Sequence, residues 1–206
     1  MKVFFVFLFK VFRFLLKFCA TRMFQVYNYF NLYLNNVDFS SYRIIGTPKF
    51  YISKGGVCVI GKQFSVNDKV FANPIGRYSK CTFVVRERGK LKIGFNVGIS
   101  FSTIVCHNKI TIGNNVKIGG NSVIYDTDFH SLNYQKRQIK EMDIEGTKTK
   151  PVILEDNVFI GAHSTILKGV TIGENSIVGA CSVVTKDIPK NEIWGGNPAK
   201  FIRRIV

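Results

Sequence analysis

The chain has 206 residues, 46% of them hydrophobic, and a formal net charge of +16. That length and hydrophobic content exclude a disordered chain and predict one domain with a small appendage. The five cysteines are an odd number without a CxxC pair, which argues against a zinc ribbon or a redox motif and predicts small buried thiols in a reducing compartment. The positive charge favours an anionic partner, such as nucleic acid, an acidic membrane face or a phosphate-bearing ligand.

The chain opens with the basic, phenylalanine-rich stretch MKVFFVFLFKVFRFLLKFCATR. Its cations interrupt the apolar run well before the roughly 20 residues that span a bilayer, and they also break the pattern of a signal peptide. Lys10, Arg13 and Lys17 share one helical face, and no acidic residue precedes Asp38. This pattern predicts an amphipathic helix whose residues 1–20 lie in a membrane interface. Packing of the helix on the body of the protein or on a neighbouring subunit is the alternative.

An aliphatic residue recurs every six positions through the C-terminal part of the chain. Earlier stretches show the same period in shorter blocks, separated by slips of phase. A period of six fits neither an α-helix nor a hairpin sheet. It predicts a coil with three flat sides, in which each aliphatic side chain points inward and stacks on its counterpart in the next coil. The unbroken series is Leu154, Ile160, Ile166, Ile172, Val178 and Val184.

Three segments link this repeat to a known family, and they are ITIGNNVKIGGNSVI, VFIGAHSTILKGVTIGENSIVGACSVVTKDIP and GGNPAKFIRRI. Over residues 50–206 the chain resembles the hexapeptide-repeat acyltransferases. It is most similar to the maltose and galactoside acetyltransferase branch and to the O-acetyltransferases of bacterial surface polysaccharides. The resemblance implies an all-β fold, the left-handed parallel β-helix, and acetyl-CoA as co-substrate; we expect no metal, because the histidines are widely spaced in the sequence. It also implies a homotrimer with active sites between subunits.

The repeat and the resemblance together divide the chain into three parts. We expect an N-terminal amphipathic helical segment over residues 1–45, a left-handed β-helix acyltransferase domain over 46–190, and a short CoA-binding tail over 191–206. The repeat stops at Tyr125, and a polar loop at 126–150 is inserted between two coils. A long loop on a rigid scaffold is a suitable place for a catalytic side chain.

The inserted loop contains one of only three histidines, in the stretch DTDFH. The resemblance assigns a general base to this loop, and His130 is the match. A sugar hydroxyl needs a base to take its proton as it attacks a thioester, and imidazole, with an ordinary pKa of about 6.5, suits this role. Asp126 or Asp128 would accept the other ring N–H and fix the tautomer, with an Asx turn as the alternative.

The other two histidines have weaker claims to catalysis. In the family, the region of His107 and Asn108 borders the acceptor cleft, so these residues and Asp128 are candidate acceptor-binding residues. A solvated turn is the alternative for His107. His163 stands at a coil turn, where we expect it to face solvent. The wide spacing of the three histidines in the sequence argues against a zinc site.

The coenzyme cleft of the family also maps onto this chain residue by residue. Small side chains would leave backbone groups open to the pantetheine arm, a threonine and a lysine would reach the adenosine end, and two cations in the tail would meet the phosphates. A solvated basic tail is the alternative for those two cations. In chain order, the candidates are Ala162, Ala180, Thr185, Lys186, Lys200 and Arg203.

Together these features predict an O-acetyltransferase that moves acetyl from acetyl-CoA to a sugar hydroxyl of a bacterial surface polysaccharide or its precursor. An acetyltransferase for a small soluble acceptor, such as serine, a free sugar or an antibiotic, is one alternative, and a non-catalytic basic scaffold is another. The cations are spread along the chain without a nucleic-acid recognition motif, so we expect no nucleic-acid partner. The predicted location is the cytoplasm, with peripheral contact to the inner face of the cell membrane.

Overall fold

The computed structural model describes residues 1–70, 73 and 80–205. Within them, one long helix, α1 (Lys2–Leu34), precedes twenty strands. The strands form three sheets, named A, B and C here, and up to β18 every third strand joins the same sheet. This order is that of a chain wound into six triangular coils, each with one strand in every sheet.

The strands pair in parallel except for the last two, which are antiparallel. Sheet A consists of β1 (Asp38–Phe39), β4 (Val57–Ile60), β7 (Lys90–Ile93), β10 (Lys109–Ile112), β13 (Val152–Leu154) and β16 (Thr171–Ile172). Sheet B consists of β2 (Tyr42–Ile45), β5 (Phe64–Asn67), β8 (Gly98–Ser100), β11 (Lys117–Ile118), β14 (Phe159–Ile160), β17 (Ile177–Val178), β19 (Glu192–Gly195) and β20 (Lys200–Arg204). Sheet C consists of β3 (Lys49–Ile52), β6 (Thr82–Val85), β9 (Thr103–Cys106), β12 (Val123–Tyr125), β15 (Thr165–Ile166) and β18 (Val183–Val184).

The inward-facing side chains of the coils form one continuous core. On sheet A, Ile112, Leu154 and Ile172 lie in register on successive strands, and all three are buried. The whole six-residue series that begins at Leu154 is at most 1% exposed. Each coil thus buries its apolar residues against its neighbours, which is how repeat proteins gain stability. The predicted left-handed parallel β-helix is confirmed.

A ladder of asparagine side chains runs along the corner between sheets A and B. Its members adopt φ values from +54° to +63°, the left-handed region that asparagine tolerates better than most residues. Each side-chain amide donates to the side-chain oxygen of the next member, over distances of 2.8 to 3.2 Å. The ladder therefore both permits the turn and ties coil to coil. Its members are Asn96, Asn115, Asn157, Asn175 and Asn191.

Helix α1 closes the N-terminal end of the coil stack. Its side chains Gln25, Asn28 and Asn31 donate hydrogen bonds of 2.9 to 3.0 Å to main-chain oxygens between residues 44 and 48. Leu32 enters the core of the first coil. The helix thereby covers the open edge of β2, which would otherwise present unpaired backbone groups. No helix in the described part of the chain is long and apolar enough to cross a membrane.

Two element boundaries differ from those expected from the sequence. The helix ends at Leu34, and the first coil begins at Asp38 rather than near residue 46. The first coil lacks the regular hexapeptide pattern, so the period did not reveal it. At the other end, β19 continues sheet B and β20 folds back on it, so the predicted C-terminal tail forms a hairpin over residues 192–204.

Candidate active site

The inserted loop leaves the coil stack at the corner between sheets C and A and returns to the same corner. Main-chain hydrogen bonds join its two arms, from Lys150 to Asp126 at 2.9 Å and from Asp128 to Lys148 at 3.0 Å. Between the arms lie two short helices, α2 (Tyr134–Arg137) and α3 (Lys140–Gly146). The loop is therefore a folded lobe whose base is fixed to a rigid scaffold.

His130 lies in this lobe, with its imidazole paired to a carboxylate from α3. Its Nδ1 is 2.7 Å from Oδ2 of Asp143, while the histidine side chain is 70% exposed. An ionised carboxylate only accepts hydrogen bonds, so Nδ1 is the donor, and in the neutral imidazole Nε2 keeps its lone pair. The exposed ring thus presents a basic nitrogen to an incoming ligand.

Asp143 is itself held in place by the lobe. Its Oδ1 accepts a 2.6 Å hydrogen bond from the N–H of Ser131, and its main-chain oxygen accepts one of 2.7 Å from Thr147 Oγ1. Gly146 permits this packing, because a Cβ there would lie 2.6 Å from Ser131 Oγ. The hydrogen bonds from the His130 ring and the Ser131 N–H lower the pKa of the Asp143 carboxyl, which stays ionised at neutral pH.

Asp126 supports the scaffold beside the lobe rather than the histidine within it. Its carboxylate is fully buried and accepts hydrogen bonds of 2.7 Å from the N–H of His107 and 2.8 Å from the N–H of Asn108. Two charge-assisted hydrogen bonds of this kind are what a buried carboxylate requires. Asp126 thus fixes the turn that carries two of the predicted acceptor-binding residues, at the base of the lobe.

Asp128, the third predicted acceptor-binding residue, is paired with a lysine from the next coil. Its Oδ1 lies 3.1 Å from Nζ of Lys168. Neither Asp126 nor Asp128 contacts the imidazole of His130, so the expectation that one of them orients it was wrong. The partner is Asp143. Both oxygens of Asp126 are engaged by the turn at His107, and Asp128 is held by Lys168 of the next coil.

Aromatic rings cover the surface between the turn at His107 and the predicted base. The ring of Phe129 lies 6.0 Å from that of His107 and 5.2 Å from that of Tyr125, and it is 45% exposed. Phe129 has a φ of +62°, an unfavourable conformation for an aromatic residue, at the position directly before His130. Burial is the largest influence on the pKa of His107 and lowers it; the nearby Arg86 acts in the same direction, and the Asp126 carboxylate opposes both.

The cysteines divide into a buried group and an exposed group. Cys58, Cys81 and Cys106 are buried as expected, whereas Cys19 and Cys181 are exposed. Cys106 lies next to the predicted acceptor turn. Its burial, reinforced by the Asp126 carboxylate, raises its pKa to about 12, so the thiol stays protonated and is not a nucleophile at neutral pH. Within the described residues, no group of three or more potential metal ligands comes together.

A concave surface, called the groove here, runs along the corner between sheets B and C on the other side of sheet C from the lobe. A cavity of about 700 Å³ opens there, within the range usual for ligand sites. Asn121, His163 and Cys181 line it from successive coils, with φ values of +58° to +62°. His163 therefore occupies an exposed coil turn, as its place in the repeat indicates, and faces this groove.

The two alanines assigned to the pantetheine arm lie on this same corner. Ala162 and Ala180 directly precede His163 and Cys181, and the N–H of Cys181 donates to the oxygen of Ala162 at 2.8 Å. In the part of the chain that the structure describes, neither the N–H nor the C=O of Ala180 is engaged in a hydrogen bond. Both groups are therefore open to a ligand in the groove.

The remaining coenzyme candidates lie at the C-terminal end of the stack. Thr185 and Lys186 follow β18, Lys200 and Arg203 belong to β20, and all four are exposed. A hydrogen bond of 2.8 Å from the N–H of Ala199 to β18 folds the tail back onto the last coil. Three exposed cations are thus gathered at one end of the molecule, where a phosphate-bearing ligand would find charge-assisted partners.

Sheet C separates the predicted base from the groove within one chain. The groove lies at the corner before the strands of sheet C, and the lobe with His130 leaves the corner after them. Strands β9 and β12, which lie between the groove and the lobe, have four and three residues and rise about 3.3 Å per residue, so roughly 10 to 13 Å of sheet lies between the corners. One chain therefore places its base and its groove on different edges of the stack.

Comparison with known proteins identifies the family. A family model described as bacterial transferase hexapeptide (six repeats) matches residues 151–186, and one described as hexapeptide repeat of succinyl-transferase matches residues 109–125. The crystal structure of a hexapeptide-repeat-containing acetyltransferase from Vibrio cholerae has a TM-score of 0.57 and 31% identity over 71% of this chain and 73% of that one. The chain belongs to the hexapeptide-repeat acetyltransferases.

Other relatives of this chain carry more specific names. The galactoside O-acetyltransferase of Escherichia coli K12 is 41% identical over 116 residues, which are 56% of this chain and 54% of the relative. A galactoside acetyltransferase in complex with coenzyme A has a TM-score of 0.52 at 32% identity, over 69% of this chain and 64% of that one. A second structure of the Vibrio cholerae protein is a complex with acetyl-CoA. The chain spans about half the length of the curated relatives it matches.

Asp143 is the residue of the candidate site that the sequence did not reveal. It follows His130 by thirteen residues, too far for a local turn, and reaches the ring only because α2 and α3 fold the chain back. A weak signal was present in Asn133, whose side chain accepts hydrogen bonds from the N–H groups of Gln135 and Lys136. An asparagine in that position is a helix N-cap, and it indicates that the loop contains helical structure.

Proposed function

We propose that this protein is an acetyl-CoA-dependent O-acetyltransferase that acetylates a sugar hydroxyl of a bacterial surface polysaccharide or its precursor. The observation that carries the proposal is the 2.7 Å contact between His130 and Asp143, which leaves Nε2 of an exposed imidazole as the basic nitrogen. Family membership supports acetyl transfer, and the galactoside acetyltransferase relatives support a sugar as acceptor.

In the proposed reaction His130 acts first as a base and then as an acid. Its Nε2 takes the proton of the acceptor hydroxyl while that oxygen attacks the thioester carbonyl carbon of acetyl-CoA. A main-chain N–H at a coil turn donates to the oxyanion that forms. The C–S bond then breaks, and the imidazolium returns the proton to the departing thiolate. The products are the O-acetyl sugar and CoA, and the Asp143 carboxylate stabilises the imidazolium between the two steps.

The co-substrate binds along the groove between sheets B and C in this proposal. The open N–H and C=O of Ala180 meet the amides of the pantetheine arm, and the cavity of about 700 Å³ accommodates it. The exposed cations at the C-terminal end of the stack meet the phosphates of CoA. The residues assigned to CoA are Ala162, Ala180, Thr185, Lys186, Lys200 and Arg203.

The acceptor binds at the base of the lobe in this proposal, beside the turn that Asp126 fixes. His107 and Asn108 stand on that turn, and the paired carboxylate of Asp128 lies on the first arm of the lobe. The exposed ring of Phe129 offers an apolar surface next to the base, which suits the apolar face of a sugar ring. These residues supply polar and apolar contacts of the kinds that a sugar requires.

We further propose that the active protein is a homotrimer whose sites lie between subunits. The separation of the groove from His130 by the width of sheet C supports this, because the groove of one chain would need the lobe of a neighbour. The alternative, in which acetyl-CoA spans the sheet within one chain, predicts an active monomer. Sedimentation analysis together with activity at low protein concentration distinguishes the two arrangements.

The proposed location is the cytoplasm, with residues 1–20 in contact with the inner face of the cell membrane. The apolar side chains of this part of α1 are exposed, and its charged side chains are all basic. An apolar helix with cations favours an anionic lipid surface. A polysaccharide precursor on a lipid carrier would be presented at the same surface, which would bring enzyme and acceptor together.

The experiment that tests the function measures thiol release from acetyl-CoA with a panel of sugars and lipid-linked glycans, for the wild-type protein and His130→Ala. We expect the variant to lose about 10²- to 10⁴-fold in kcat while it stays folded and binds CoA. An active variant would refute His130 as the base. Activity only with serine, a free sugar or an antibiotic would replace the polysaccharide acceptor, and no thiol release with any acceptor would favour a scaffold.

A further inference from the structure

Helix α1 presents its polar side to the protein and its apolar side to the outside. Asn28, whose side chain bonds to the first coil, is fully buried, whereas Val26 and Phe30 on either side of it are 61% and 56% exposed. Met23 and Leu34 lie on the same outer face and are 71% and 77% exposed. A surface helix of a protein in water has the opposite arrangement, with its apolar side against the core. Apart from Leu32, which enters the core of the first coil, the docked half of α1 (residues 23–34) is therefore inverted.

The projecting half of α1, residues 2–22, extends beyond the coils. Its polar and apolar faces continue those of the docked half. A separation of 18 residues is five full turns at 3.6 residues per turn, so residues 18 apart share a face. Three of the cations of the projecting half stand 18 residues before asparagines at the docked end of the helix, and these pairs are Lys10 with Asn28, Arg13 with Asn31, and Lys17 with Asn35. These three cations thus lie on the side of the helix that faces the body of the protein.

The apolar outer face is continuous over both halves by the same spacing. Its aligned pairs are Phe5 with Met23, Leu8 with Val26, Phe12 with Phe30, and Leu16 with Leu34. All eight side chains are between 45% and 77% exposed. From its first to its last member this stripe is about 45 Å long, since a helix rises about 1.5 Å per residue. Arg22 and Lys2 border its two edges.

We propose that this stripe lies along its full length in the interface of an anionic lipid bilayer, so that the coil stack stands on the membrane with its N-terminal end toward the lipid. The proposal extends the contact of residues 1–20 in the proposed function to the docked half, and it does not depend on acetyl transfer. The apolar stripe would enter the bilayer interface, and the cations on the opposite side would remain at the level of the lipid phosphates.

Charge selects a lipid surface over a second copy of the chain as the occupant. The first 37 residues contain cations and no carboxylate side chain. Two such helices brought together would repel each other, whereas anionic lipids attract each basic residue near their surface. The docked half also determines which side of the helix faces outward, because its polar side is held by the hydrogen bonds of Gln25, Asn28 and Asn31 to the first coil.

The orientation is tested with tryptophan fluorescence on the full-length protein. The wild type has a single tryptophan, Trp194, in the last strands of the stack. We expect brominated phosphatidylglycerol in mixed phosphatidylglycerol–phosphatidylcholine vesicles to quench the added emission of Leu8→Trp and Phe30→Trp but to leave that of Trp194 unchanged. Quenching at Leu8→Trp without quenching at Phe30→Trp would overturn the proposal, because only the projecting half would then touch lipid.

Vesicle flotation of charge variants gives an independent test. We expect Val26→Glu with Phe30→Glu to lower partitioning into the same vesicles by at least about tenfold, because two apolar side chains lose their place in the interface. The matched control is Val57→Glu, which introduces a carboxylate at an exposed valine on the side of the stack. Equal partitioning of the two proteins, or no binding of the wild type, would overturn the proposal.

Two further readouts separate this proposal from its alternatives. Acetyl transfer to a soluble sugar should be the same for Val26→Glu with Phe30→Glu as for the wild type, so that failure of one proposal leaves the other standing. If a second copy covers the stripe instead, the Phe30→Trp emission will shift with protein concentration in the absence of vesicles. That result would replace the lipid surface with a self-association interface.

Discussion

The coil stack and the lobe inserted into it are built on opposite principles. In the stack, stabilising contacts are repeated, since each buried aliphatic residue lies on an equivalent one and each ladder asparagine on another. In the lobe, α2 and α3 contain no buried residue, and His130 depends on the single carboxylate of Asp143. Stability in this molecule is shared among many contacts, whereas the reactive geometry rests on a few contacts that occur once.

The largest expected effect on stability comes from the core of the stack. Ile166 is fully buried and lies in register between Ile124 and Val184 on sheet C. Ile166→Ala should lower the free energy of unfolding by about 2 to 5 kcal/mol, through lost burial and the cavity left behind. Denaturant titration measures this loss. At a temperature where the variant is folded, its kcat should remain near that of the wild type, and a large loss of kcat would contradict the separation of the two regions.

A carboxylate-to-amide change in the lobe should lower activity and leave the stability of the stack unchanged. The N–H of Ser131 requires an acceptor on residue 143, so an asparagine there would turn its NH₂ toward Nδ1 of His130 and force the proton onto Nε2. We expect Asp143→Asn to lower kcat by about a hundredfold or more, because the base is then in the wrong tautomer. The stability of the stack should not change.

The matched control for that prediction is Asp143→Ala. It removes the orienting group without imposing the wrong tautomer, so its loss of kcat should be smaller than that of Asp143→Asn. Steady-state kinetics on both variants tests the order. An alanine variant as slow as the asparagine variant would show that Asp143 acts through its position alone and not through the tautomer of His130.

A smaller effect is expected at the asparagine ladder. Asn157 joins Asn115 and Asn175 through its side chain and has a φ of +62°. Asn157→Gly keeps that conformation accessible but loses both ladder bonds, at a cost of about 1 to 2 kcal/mol. Asn157→Ala should cost about 1 kcal/mol more, because alanine is strained in the left-handed region. Equal stabilities of the two variants would show that the ladder, and not the turn, carries the whole contribution.

The smallest expected effect is a pH dependence of stability that comes from His107, at the base of the lobe. The pKa of His107 is lowered in the folded protein, mainly by burial, so the unfolded chain binds a proton first as the pH falls. The unfolded state then holds more protons, and the contribution of this group to stability, present above about pH 6.5, is lost as the pH falls below that value. His107→Phe should lose less stability than the wild type between pH 7 and 5.5. Parallel curves would contradict this assignment.

The comparison of the two regions also explains which parts of the site could be predicted. The loop and His130 were evident from the sequence because an interruption stands out against a regular period. Asp143 was not evident, because its approach depends on how α2 and α3 fold, and their short sequence carries little periodic signal. The assignment of the coenzyme residues and of His130 as the base remains a prediction until it is tested by kinetics.

The side of helix α1 that faces outward could not be predicted from the sequence either. The sequence predicted a basic amphipathic helix with its cations on one face, and the structure contains a helix over Lys2–Leu34. No pattern in the sequence showed that the face continuing those cations, at Asn28 and Asn31, would dock on the first coil. Side-chain amides that bond to backbone oxygens of a distant strand carry no periodic signature, so the direction of the apolar face was decided by tertiary contacts.

The sequence by itself determined the coil stack, because a buried aliphatic residue at every sixth position has only one way to stack on its neighbours. It also determined where the stack is interrupted and that the chain is basic. The tertiary structure alone decided which carboxylate orients His130, which corner carries the groove, and which side of α1 faces outward. These features depend on single contacts between distant residues, such as His130 with Asp143. A contact that occurs only once produces no periodic pattern in the sequence from which it could be predicted.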